Sequence, residues 1–141
     1  MGRIEEQYEL VKKQVEKADK LFEDNDMLPE ALQNIFAIFE NCANLLKDIK
    51  NMTPRTNHLE INAILKDMKR RNILKQDYSR YHSDLNNYRV RAFFGEYSRE
   101  KGIELPPKTS LKVYLKKAKE LFDETNVVVK DYTKPRKAGK H

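Results

Sequence analysis

Leu32-Gln33-Asn34-Ile35-Phe36-Ala37-Ile38-Phe39-Glu40-Asn41-Cys42-Ala43-Asn44-Leu45-Leu46 decides the fold class, because its apolar residues fall where one face of an α-helix collects them. Leu32, Ile35, Phe36, Phe39, Cys42, Ala43 and Leu46 follow a 3.6-residue period, and Ile38 and Leu45 widen the stripe. A half-buried strand would alternate by two instead. So broad an apolar face needs cover on several sides, so this segment is expected to be the most buried helix. Pro29 suits its first turn, where a missing N–H breaks no helical bond, and the pattern runs on to about Ile49.

Outward toward the N-terminus, Ile4, Tyr8, Val11, Val15, Ala18 and Phe22 form a narrower stripe, predicting a first helix over about residues 3–24. Glu23-Asp24-Asn25-Asp26 breaks it. In the other direction, Asn51 to Thr56, with Pro54, reads as a loop, and Asn57 with Glu60 resembles a capping pair opening a third helix. That helix carries Ile61, Ile64, Leu65 and Met68 and leads into polar Lys69-Arg70-Arg71-Asn72. A fourth helix is expected from about Asp77 to about Gly95, with Tyr78, Tyr81, Leu85, Tyr88 and Ala92 facing the core. Gly95, Gly102 and Pro106-Pro107 mark a connector, and a fifth helix starts near Ser110. Its inner face is Leu111, Tyr114, Leu115, Ala118, Leu121, Phe122 and Thr125, while the β-branched run Val127-Val128-Val129 leaves its end open. The expected fold is all-α, an up-and-down bundle of four to five helices in one domain over residues 1–132. A basic tail at 133–141 has nothing to bury and is expected to be disordered.

Composition agrees with one helical core. The 141 residues include 39% hydrophobic and 35% charged side chains but only 4 Gly and 5 Pro. No apolar run reaches the roughly 20 residues that cross a bilayer, and Met1-Gly2-Arg3-Ile4-Glu5-Glu6 opens no apolar leader, so a cytoplasmic protein with no membrane association is expected. Cys42 is the only cysteine, which excludes an intrachain disulfide or a cysteine zinc site; on an apolar helix face it is expected to be an inert small hydrophobe. His58, His82 and His141 are scattered and no phosphate-cradling glycine loop is present, so no metal and no cofactor are expected. Of the net charge of +6, Lys134, Arg136, Lys137 and Lys140 supply four, and a nucleic-acid footprint must therefore rest on local patches.

The fourth helix has a second apolar face. Val90, Phe94 and Tyr97 stack at spacings of four and three, roughly opposite the core stripe. Two apolar faces ask for two partners, which points to a homodimer with Val90, Phe94 and Tyr97 at the interface. The other reading is that Gly95 ends the helix and Phe94 folds back into the core.

Asn57-His58-Leu59-Glu60, Asp84-Leu85-Asn86-Asn87-Tyr88 and Arg89-Val90-Arg91-Ala92-Phe93-Phe94-Gly95-Glu96-Tyr97-Ser98 together resemble a HEPN domain, a helical family associated with nucleotides and RNA. Phe39 to Lys47 resembles the family's glutamate-containing second helix. Members with ribonuclease activity carry an arginine, usually a polar residue after it, and a histidine about five positions on, often before glycine. Here Arg89 takes the arginine place, Val90 replaces the polar residue and Phe94 precedes Gly95 where the histidine would stand. The resemblance implies a homodimer in which two such motifs face one another across an RNA-cleaving cleft. It also implies a nucleotidyltransferase-type partner, of the kind paired with HEPN proteins in toxin-antitoxin modules.

Metal-independent RNA cleavage needs a base for the 2′-hydroxyl proton and a cation for the phosphate. Arginine supplies the second, but phenylalanine cannot supply the first, and losing a positioned acid or base typically lowers the rate about 10² to 10⁴-fold. The only candidate replacement on this helix is His82, two turns before Arg89; a rise of about 10.5 Å bars a direct pair within one chain but not an approach across a dimer axis. The leading expectation is a non-catalytic, dimeric binding or regulatory protein with a nucleotidyltransferase-type or RNA partner. The alternatives are a ribonuclease with a displaced base, and a nucleic-acid-binding module using Arg89, Arg91, Lys69, Arg70 and Arg71, with Lys66, Lys75, Arg80 and the basic tail.

Overall fold

The computed structural model describes residues 2–23, 27–50, 58–93 and 107–133, apart from the side chains of residues 58, 59 and 91–93. Among them are five helices and no strand: α1 (Arg3–Phe22), α2 (Leu28–Ile49), α3 (His58–Arg70), α4 (Ser79–Phe93) and α5 (Lys108–Thr133). The all-helical bundle read from the periodicities is the observed fold.

α2 is central. It touches each of the other four helices, whereas α1 and α4 do not meet. Twelve of its residues are buried, including the whole expected stripe, Ile38 and Leu45. α1 runs antiparallel to α2, with Gln14 near Asn34 and Asn41 and Arg3 near Asp48. It also runs antiparallel to α5, where Tyr8 stacks on Phe122 at 5.6 Å and donates to Asn126 Oδ1 at 2.8 Å. α2 and α5 are therefore parallel, and Leu45 and Ile49 pack with Val129 at one end of the pair. α4 lies on the other side of α2, antiparallel to it, with Tyr78 against Phe39 and His82 and Arg89 against Phe36.

The turn from α3 to α4 is built by local chemistry. Asn72 has φ 61°, the left-handed region that asparagine tolerates better than most residues. Ile73 N–H donates to Met68 O at 2.9 Å and Asn72 N–H to Lys69 O at 3.0 Å, the paired bonds of a Schellman helix end. Asp77 then opens α4: its carboxylate accepts the Ser79 N–H at 2.9 Å and the Ser79 hydroxyl. Glu124 of α5 accepts from the Lys75 N–H and the Tyr78 hydroxyl, fastening the corner to the bundle.

One expectation is sharpened. The valine run does not end α5, which continues to Thr133. Val129 is buried and Val128 packs on the core, so tertiary burial outweighs the modest helix penalty of β-branched residues. Thr125 and Thr133 return their hydroxyls to the carbonyls of Leu121 and Val129, at 2.7 and 3.0 Å. The expected capping residue Asn57, the expected loop at 51–56 and the expected basic tail from residue 134 onward lie outside the described residues.

Candidate functional site on α4

Tyr78, just ahead of α4, and Leu85 and His82 on it are buried in the core; Tyr81 and Tyr88 are partly buried on the α5 side. Tyr114 of α5 sits 6.4 Å from Tyr81 in an edge-on contact and 6.5 Å from Tyr88. Lys117 Nζ lies 5.4 Å over the Tyr81 ring. Burial raises the Tyr114 pKa, with nearby Asp84 adding to the shift, so the Tyr114 hydroxyl stays protonated at physiological pH.

His82 and Arg89 meet the same partner. The His82 imidazole, 1% exposed, stacks on Phe36 at 5.0 Å with 18° between the planes. The Arg89 guanidinium carbon stands 4.6 Å from the centre of that ring, and one Arg89 Nη donates to Asn86 Oδ1 at 3.3 Å. Two turns of helix separate the two residues, about 10.5 Å of rise, and the Phe36 ring of α2 fills the space between them. In the sequence Phe36 reads only as one more core residue. Its role as a shared platform depends on which way α2 and α4 cross, which periodicity does not encode.

Val90 is 43% exposed, as the second apolar face requires of it. Phe94 and Tyr97, the other two interface residues expected from the sequence, lie outside the described residues, as does the side chain of Arg91. The structure therefore brings Arg89 and His82 into one cluster through Phe36, and it leaves Val90 outside that cluster, on the surface.

The basic group at the end of α3 is partly self-neutralised. Arg70 and Arg71 both pair with Asp67, the second through Nε at 3.0 Å, and Lys69 is exposed beside them. Cys42 is buried among apolar side chains. Burial pushes its thiol up to about 12, against a smaller opposing pull from the Thr125 hydroxyl, so it is no nucleophile at neutral pH. Among the described residues no three histidine, cysteine, aspartate or glutamate side chains are grouped to hold a metal ion, and no helix is long and apolar enough to cross a membrane.

No family model, curated protein or solved structure matches this chain. The site's chemistry is thus read from its own geometry. A packed aromatic ring carries a cation on one flank and a buried imidazole on another, with an exposed valine one residue beyond the cation. That arrangement fixes Arg89 and offers a small apolar contact; it does not hold an imidazole out toward a substrate.

Sequence reasoning missed a second polar region. Gln7 and Gln14 of α1 face Asn34, Asn41, Asn44 and Asp48 of α2 across an amide-rich seam. Its signal was present: Asn34, Asn41, Asn44 and Asp48 recur at intervals of seven, three and four, a polar stripe along the otherwise apolar α2.

Proposed function

We propose that the chain is a non-catalytic, HEPN-like protein that acts by binding, as a homodimer formed through the Val90 side of α4, and that it engages a nucleotidyltransferase-type protein or RNA. The observation that carries the non-catalytic part is the burial of His82 against Phe36. A general base must come within about 3 Å of the proton it removes, directly or through one water. An imidazole 1% exposed and stacked in the core does not reach a ribose hydroxyl. Arg89, covering part of the same ring, is held as a positioning cation beside the exposed Val90.

Light scattering of the purified chain, alone and with a nucleotidyltransferase-type protein from a neighbouring gene, tests the binding part. The expected result is a dimer mass that Val90→Asp reduces to a monomer, and a complex with the partner. A monomer at all concentrations, with no complex, overturns it. Incubation with a broad RNA panel tests the rest: no cleavage is expected, whereas cleavage abolished by both Arg89→Ala and His82→Ala would establish the displaced-base ribonuclease instead.

A further inference from the structure

α4 is anchored differently from the rest of the bundle. The buried residues of α2 and α5 are apolar apart from Lys47 and Thr125, and α3 adds Ile61, Ile64, Leu65 and Met68 to the same core. Among the described side chains of α4, Ser79, His82 and Leu85 are buried, and of these Leu85 alone is aliphatic. Tyr81 and Tyr88 are half-buried against Tyr114. Apolar cohesion scales with the area buried, so α4 draws less of it than its neighbours do.

Polar contacts hold it instead, and they concentrate at its start. From α3, Asn62 Nδ2 donates to Ser79 O at 2.7 Å and to the Ser83 hydroxyl. From α5, Lys117, Glu120 and Glu124 fall on one face at spacings of three and four and meet the corner ahead of α4. Lys117 Nζ donates to Gln76 Oε1 at 2.9 Å, and Gln76 Nε2 donates to Glu120 Oε1 at 3.3 Å. Glu124 accepts twice, from the Lys75 N–H and from the Tyr78 hydroxyl. Tyr78 is fully buried, and that burial, followed by Glu124, raises its pKa and keeps it a donor.

We propose that α4 is a latched element: α4 and the corner ahead of it detach as a unit from a body made of α1, α2 and α5, and Glu124 is the latch. Each of these three helices touches the other two, so the body stays closed when α4 leaves. Opening carries Arg89 and Val90 away from α2 and uncovers the Phe36 ring that Arg89 and His82 share. The Phe36 cluster therefore exists only in the latched state. Elements that open below the global unfolding free energy are those with few buried apolar contacts, which is the condition of α4. The inference concerns how α4 is held and stands whether or not the chain dimerises.

The test is hydrogen–deuterium exchange of the full chain at neutral pH, read peptide by peptide over a urea series below the unfolding transition. After correction for intrinsic rates, the α4 amides are expected to exchange at least tenfold faster than the slowest amides of α2, with a shallower urea dependence. Glu124→Gln should speed α4 exchange a further tenfold or more. Tyr78→Phe, which removes the hydroxyl and keeps the packed ring, should speed it at least threefold, and it keeps the test decisive if Glu124→Gln fails to fold. α4 amides that match those of α2 in rate and urea slope overturn the proposal, because the bundle then opens only as a whole. So does α4 exchange that neither substitution moves, since the helix then frays past an intact latch.

Discussion

The two flanks of α2 differ in what they use to hold a neighbour. Against α5 the contact is dry: Leu45 and Ile49 close on Val129, and the polar hydroxyl of Thr125 is turned back to its own helix at Leu121 O. Against α1 the contact mixes a buried strip, Val11, Ala18, Leu21 and Phe22, with the row of amides and charges that opens into a groove. Apolar burial is non-directional and scales with area, so the α5 flank supplies cohesion. Hydrogen bonds contribute little net stability but fix relative position, so the amide row specifies how α1 lies on α2.

The difference can be broken at either side. Leu45→Ala removes a fully buried side chain from the dry flank and is expected to lower stability by about 2 to 5 kcal/mol in chemical denaturation, the range for large-to-small core changes. Alkaline pH attacks the same flank through Cys42. Its folded pKa is raised by burial from 9.0 to about 12, so the stabilisation is complete below pH 9 and is lost as pH rises toward 12. Denaturation midpoints should hold to about pH 9 and then fall, with a slope of roughly 1.4 kcal/mol per pH unit from this group, and Cys42→Ala should make the fall shallower. Tyr78, raised chiefly by burial and then by its bond to Glu124, acts with the same sign at the α4 corner.

Smaller effects are expected on the wet flank. Asn41→Ala deletes the bond to Gln14 Oε1 and should cost about 1 kcal/mol, read by the same denaturation experiment. Arg3→Ala removes an ion pair whose arginine is largely exposed, and a change within about 0.5 kcal/mol is expected. If Asn41→Ala proved as damaging as Leu45→Ala, the division between a cohesive flank and a specifying flank would fail.

The bundle was legible because long helices advertise themselves. The α2 stripe, the α1 stripe and the inner face of α5 each repeat through several turns, and every described member is buried or half-buried. The end of α5 was not legible, since local propensity and tertiary burial disagree at Val127-Val128-Val129 and only the packed structure says which prevails. The site was legible in part. Helical geometry placed Arg89 and His82 on one flank two turns apart, but the ring that joins them comes from another helix. The α1–α2 groove escaped because a polar stripe on one helix has no meaning until the helix opposite is known.

The two hydrogen bonds at Glu124 reach 49 and 46 residues back along the chain, to Lys75 and Tyr78. The Schellman end at Asn72 and the cap at Asp77 can form while only local sequence is present, but the carboxylate that fastens the corner arrives last, with α5. Assembly therefore has an order: α3 and α4 acquire their turn early, and the start of α4, with the Phe36 cluster it carries, is locked only when α5 docks. During synthesis the α4 surface is therefore complete only after α5 has left the ribosome.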